Sequence, residues 1–178
     1  MPRYIRRSVR WVQNDGMAVV EESSGEAATI AEQIAGLAQE KGLTVAVAES
    51  LTSGEIASRL GAAPEASSWF TGGVVAYASE VKFTVLDVEP GPVVTAQCAA
   101  QMARGVARLT GADLAVAVTG VGGPGPDEGH PAGTVFLAVS SGSEEQVAQH
   151  RFDGAPPRVV ELATIAALQA LSTVLVTI

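Results

Sequence analysis

The sequence predicts a layered α/β domain on a mixed sheet, and three features carry that expectation. Short valine-rich apolar runs, too short for helices, alternate with longer segments whose apolar residues recur every three or four positions. A Gly/Pro-rich stretch from Gly120 to Pro131 precedes two runs separated by Ser-Gly-Ser-Glu-Glu, the pattern of an antiparallel pair. Hydrophobic residues make up 47% of 178 positions and mean hydropathy is +0.27, enough for a single domain with a buried core.

The elements follow in order. Ser23 and Glu26 form a capping box, and Ile30, Ile34, Leu37 and Ala38 share one helical face before Lys41-Gly42 ends it. Leu43 to Ala48 is the first buried strand. Thr52 and Glu55 form a second capping box, so the next helix should start at Thr52, bury Ile56, Ala57 and Leu60, and run to about Gly61. Gly72 to Ala78 reads as a strand, Ser79 to Leu86 as a short helix, and Glu89-Pro90-Gly91-Pro92 as a turn. A long helix begins at Thr95 and carries Ala99, Met102, Val106 and Leu109. Asp113 to Thr119 is a buried strand, and Gly133 to Ser140 pairs with Gln146 to Phe152. After Pro156-Pro157 a last helix carries Leu162, Ile165, Leu168, Leu171 and Leu175. With Val159 these cannot all face one sheet at 3.6 residues per turn, so a homodimer is expected to cover the second face.

Composition narrows the function classes. A net charge of -8 argues against nucleic acid, which needs clustered cations. No run is expected to span a membrane. The single Cys98 cannot make an internal disulfide, which suits a cytoplasmic protein, and on its apolar helix it reads as a packed thiol. One cysteine and two distant histidines give no metal-ligand spacing, and no cofactor is expected. Arg3, Arg6, Arg7 and Arg10 are four of the eleven basic residues. No apolar h-region follows them, so residues 1–22 read as a basic, disordered extension rather than a secretory signal, ahead of a domain over 23–178.

Chemistry-bearing residues fall in three loops. Ser50 sits at a strand end just before a helix N-terminus, where free N–H groups favour an oxyanion, although serines also crowd such places as caps. Lys82 is one of only two lysines, and an isolated lysine is ordinarily a solvated surface charge. Tyr77 can be a plain strand aromatic. The run Thr119-Gly120-Val121-Gly122-Gly123-Pro124 can cradle an anion with backbone N–H groups, but lacks the Lys-Ser/Thr ending of a P-loop.

Taken together, these segments resemble the CinA C-terminal domain family. The matching blocks are Ala48-Glu49-Ser50-Leu51-Thr52 with Gly54, Ser67-Ser68-Trp69-Phe70, Gly72-Gly73-Val74-Val75-Ala76-Tyr77, Glu80-Val81-Lys82, Thr119 to Pro124, and Pro131-Ala132-Gly133-Thr134-Val135. The resemblance implies a three-layer α/β/α domain, usually oligomeric, and a nicotinamide-nucleotide amidase. Such an enzyme hydrolyses the carboxamide of nicotinamide mononucleotide to nicotinate mononucleotide and ammonia, in pyridine-nucleotide recycling. It implies Ser50 as nucleophile and Lys82 as its base, with Tyr77 and Ser67 as supporting polar groups. Glu49, Thr52, Gly54, Gly73, Thr119, Gly120, Gly122 and Gly123 would contact the substrate, and the helix start near Thr52 to Gly54 would hold the oxyanion.

The chain departs from the family at four places, one of them Thr95-Ala96, where the family tends to have Ser-Glu. Ser53 replaces the first of paired glycines, putting a Cβ where backbone should approach the pocket. The connection after Leu86 is short. A Gly-Asp-Arg stretch followed by another arginine appears as Gly154-Ala155-Pro156-Pro157-Arg158, leaving at most Arg158 for a phosphate. An amidase for another small carboxamide, or a non-catalytic ligand-binding module, are the alternatives.

Overall fold

The computed structural model describes residues 23–142 and 144–178, so the segment 1–22 lies outside the described residues. In chain order the elements are α1 (Ser23–Lys41), β1 (Val45–Glu49), α2 (Glu55–Gly61), α3 (Ala66–Trp69), β2 (Phe70–Val75), α4 (Ser79–Val85), α5 (Ala96–Thr110), β3 (Leu114–Gly120), β4 (Thr134–Ser141), β5 (Glu144–Arg151) and α6 (Pro156–Thr177). The sheet runs β2-β1-β3-β4-β5. Its first three strands are parallel, and β4 and β5 extend it antiparallel. This is the mixed sheet of the expected α/β class.

Strand sequences decide which helices cover which face. Val45 and Val47, Leu114, Val116 and Val118, and Val135, Leu137 and Val139 pack with α1, α2 and α6. The alternate positions Ala46, Ala48, Ala115, Ala117 and Ala138 pack with α5. Large residues on one side and mostly alanines on the other give a thick three-helix layer opposite a close-lying α5, the middle layer being the sheet. Extra methylenes on the alanine face would overpack it, at about 1–3 kcal/mol.

Two helices differ from expectation. Helix α3 is too short to leave a periodic signal; it exists because Trp69 turns into the core, 2% exposed, and donates its indole N–H to Pro64 O at 3.0 Å. Helix α6 is long and apolar enough to cross a membrane by length and composition, contrary to the expectation of no such run. Nine of its residues are buried, and eight of them, including Val159, Ile165, Leu168 and Leu171, lie in the core shared with α1 and the sheet. A helix covered on two sides by its own chain needs apolar residues on both, and α1 covers one of those sides.

The parallel strands set up the site. Strand β1 ends at Glu49 and β3 at Gly120, side by side. From there the chain leaves β1 for α2 and leaves β3 for a loop into β4. Such a parting of loops beyond the carboxyl ends of adjacent strands opens the crevice where α/β sheets place ligands.

Candidate active site

A cavity of about 500 Å³ lies at this edge. It gathers Ser50, Tyr77, Lys82, Thr119, Gly120, Gly122 and Gly123 from three separate stretches of sequence. Ser50 is pinned as the first residue past β1: its N–H donates to Val118 O at 3.0 Å, and its carbonyl accepts from Ser53 N at 3.2 Å. It is buried and lines the crevice.

Lys82 is no surface charge. It is 1% exposed, and Nζ donates to Ala76 O at 2.6 Å and Tyr77 O at 3.3 Å. Helix α4 explains this placement: it starts at Ser79, after the three residues that follow β2, and turns Lys82 back under the carbonyls of Ala76 and Tyr77 in that connection. Burial lowers the pKa of the ammonium below its ordinary 10.5, with Cys98 and Glu128 pulling the other way. Among the described residues no carboxylate forms an ion pair with it. A lysine held only by carbonyls and short of water is one that can act as a base.

Glu49 has a different task from the one expected. Fully buried, it turns its carboxylate onto the start of α2, accepting from Gly54 N (3.0 Å), Ile56 N (3.2 Å) and Ala57 N (2.8 Å). It is a helix cap reaching from the preceding strand, and it does not line the cavity. The Thr52–Glu55 capping box does not form: α2 begins at Glu55, Gly54 precedes it at φ 105°, and Glu55 pairs with Arg59. Thr52 is buried off the cavity, its Oγ1 without a partner among the described residues, and Gly54 serves the turn. Because Glu49 takes the N–H groups at the start of α2, that helix start does not hold an oxyanion. Ser53 stands at φ 54° with its side chain exposed and away from the cavity, so its Cβ does not intrude on the pocket.

Ser67 and Gly73 also fall outside. β2 opens beside Val45 and closes beside Glu49, so exposed Ser67, which precedes β2, lies at the far end of the strands from Ser50. Gly73 is a packing residue: a Cβ there would run into the side chain and carbonyl of Val47. Gly120 lines the cavity, but its lack of a side chain serves the approach of Thr134 and Val135. Thr119 Oγ1 donates to Val93 O at 2.8 Å.

Ser79, Val93, Val94, Asp127 and Pro156 line the cavity and were not expected to. Asp127 lies inside the Gly/Pro stretch singled out from sequence and Ser79 opens the short helix that carries Lys82, whereas two valines after a Pro-Gly-Pro turn carry no chemical signal. Arg158 faces away, pairing with Glu161 at 2.6 Å.

Cys98 packs beneath the cavity, 2% exposed. Burial pushes its thiol up to about 11, Lys82 and the Thr119 hydroxyl opposing and Glu128 adding to the rise. It should therefore stay unmodified by iodoacetamide at pH 8 in the folded protein and react readily once unfolded. Labelling of the folded chain as fast as the unfolded one would show an open core.

The family model of the CinA C-terminal domain matches residues 27–175. The chain belongs to this family. Among curated relatives, a CinA-like protein of Geobacter sulfurreducens is 38% identical over 175 residues, covering 91% of this chain and 42% of the relative. A CinA-like protein of Frankia casuarinae is 38% identical over 147 residues, covering 80% of this chain and 34% of the relative. The chain thus spans under half the length of these curated relatives. The crystal structure of a competence-damaged protein (CinA) superfamily protein from Klebsiella pneumoniae superposes with a TM-score of 0.82 at 31% identity, covering 85% of this chain and 99% of that one. The competence/damage inducible protein of Agrobacterium tumefaciens gives 0.78 at 30% identity, covering 88% and 98%. At this coverage the CinA domain shares the three-layer fold throughout.

Proposed function

We propose that this CinA domain is a Ser-Lys amidohydrolase acting on a small carboxamide, with nicotinamide mononucleotide, the substrate the family resemblance implies, as its reference substrate. The observation that carries the reading is Lys82: buried, held by two carbonyls, lowered in pKa and sharing a cavity with Ser50. Neutral Lys82 Nζ takes the proton of Ser50 Oγ as the oxygen attacks the amide carbon. The same proton then goes to the departing nitrogen, and ammonia leaves an ester on Ser50. Water, activated by Lys82, hydrolyses that ester to the carboxylate, so one amide and one water give one acid and one ammonia. Positioned proton transfer of this kind is worth about 10²–10⁴-fold. With the start of α2 taken by Glu49, the loop wall at Gly122 and Gly123 supplies the N–H donors for the tetrahedral oxyanion.

A second reading, a carboxamide without a phosphate, is favoured by the rim. Among the described residues Lys82 is the one cation on the cavity wall, and Asp127 joins it. Helix α6 meets the cavity through Pro156 and Val160, and its first two residues, Pro156 and Pro157, carry no N–H. Losing a charge-assisted phosphate contact typically costs about 1.5–3 kcal/mol. Ammonia release from nicotinamide mononucleotide, nicotinamide riboside and nicotinamide by the purified chain tests both. Faster release from the mononucleotide supports the first reading, and faster release from either phosphate-free amide supports the second. No release from any of the three removes the amidase.

A further inference from the structure

Glu128 sits in a tight reversal. Asp127 N donates to His130 O at 2.9 Å and His130 N to Asp127 O at 2.8 Å, closing a two-residue hairpin turn. Its central residues, Glu128 at φ 46° and Gly129 at φ 78°, are both left-handed. Turns of this kind favour Asn-Gly, and a glutamate at the first central position costs on the order of 1–2 kcal/mol of backbone energy. A residue so poorly suited persists where its surroundings over-determine it. Here its carboxylate reaches across the fold. Oε2 accepts from Val94 N at 2.7 Å, and Val93 N reaches both oxygens, at 2.8 and 3.0 Å.

Both ends of that contact belong to the cavity. Val93 and Val94 line it, and so do Pro126 and Asp127 just ahead of Glu128. Val93 O in turn accepts from Thr119 at the end of β3, so the tie runs from the loop tip through Val93 into the sheet. We propose that Glu128 is a positioning residue of this site, its carboxylate stapling the tip of the Gly/Pro loop to Val93 and Val94 and so fixing the width of the cavity in front of Lys82. The proposal rests on the reading of Ser50 and Lys82 as the reacting pair. Glu128 does not touch the reacting atoms; it acts through the wall it holds.

Two substitutions separate staple from charge. Glu128→Asn suits the turn better than the native residue and is too short to reach Val93 and Val94, so folding is kept while the staple is lost. Glu128→Gln keeps the length and one acceptor oxygen and removes the charge. The titratable groups around Lys82 are Cys98 from α5, Asp127 and Glu128 from the loop, and Tyr77 at the mouth. Of these only Glu128 changes in the Gln variant. Its pH profile of kcat/KM should keep its height within about threefold, with the acid limb moved to lower pH by up to about half a unit, as one screened negative charge leaves.

The deciding measurement pairs amide hydrogen exchange at Val93 and Val94 with kcat/KM in Glu128→Asn. The expected result is a folded chain whose melting temperature falls by no more than about 10 °C, the turn's backbone gain offsetting part of the lost bonds, with loss of protection at both amides and a fall in kcat/KM of about ten- to a hundredfold, the usual scale for loosened alignment. Retained protection, or kcat/KM within twofold of the native chain, overturns the proposal. Should the native chain hydrolyse no carboxamide, the amidase reading fails, and the exchange alone decides the staple: lost protection supports it and retained protection removes it.

Discussion

Replacing Ser50 with alanine should lower ammonia release by on the order of a hundredfold or more, and Lys82→Met should do the same. The double variant should be little worse than the weaker single, because nucleophile and base act as a unit. The pH dependence gives an independent check. Burial depresses the pKa of Lys82, so the neutral form that accepts a proton appears at lower pH than for a free lysine. In the native chain kcat/KM should rise with pH through a limb lying below 10.5, and Lys82→Met should lose that limb. Lys82→Met also leaves Ala76 O and Tyr77 O without their donor, about 1–3 kcal/mol apiece, so its melting must be compared with that of Ser50→Ala before rates are read. Near-normal turnover in Ser50→Ala would remove the acyl-enzyme and leave a water-activating site.

The layers of this fold were legible because its strands write them out. Val-Ala-Val-Ala in β1 and Leu-Ala-Val-Ala-Val in β3 state both burial and which face takes the closer helix. The convergence of Ser50, Tyr77, Lys82 and the loop after β3 also followed from sequence blocks, since parallel strand ends bring such loops together. Three things were not legible. Ser67 belongs to a matching block, yet a block's order along the chain does not say which end of β2 it occupies. Thr52-x-x-Glu55 has the spacing of a capping box, but a competing carboxylate from outside the window, Glu49, takes the same N–H groups. The apolar excess of α6 does not say what covers it; α1 of the same chain supplies one part of that cover. In each case the local signal is incomplete because a competitor or a covering element sits elsewhere in the sequence.

Glu49→Ala should be the most destabilising single change at the site. The carboxylate is fully buried, and its three N–H partners, Gly54 just before α2 and Ile56 and Ala57 in its first turn, have no carbonyl of the helix to turn to. Hydrogen bonds to a charged group are each worth about 1.5–3 kcal/mol, and stripping the acceptor strands the donors in a dry place. Because the losses overlap, the expected total is roughly 3–5 kcal/mol, read as a lower urea midpoint at unchanged m-value. Glu49→Gln keeps the shape but offers one acceptor oxygen where there were two, and turns an amide N–H₂ toward a donor; it should lose roughly half as much. Activity should fall along with stability, even at temperatures where both variants stay folded. Ser50 follows Glu49 directly, and the turn between Ser50 and Gly54 is fixed at one end by Val118 and at the other by this cap. Freeing α2 lets that turn shift, and an error of about 1 Å at a nucleophile can cost a hundredfold. A Glu49→Ala chain that unfolds within 1 kcal/mol of the native one, on the scale of a surface substitution, would mean that water replaces the carboxylate. The start of α2 would then be open to an oxyanion after all.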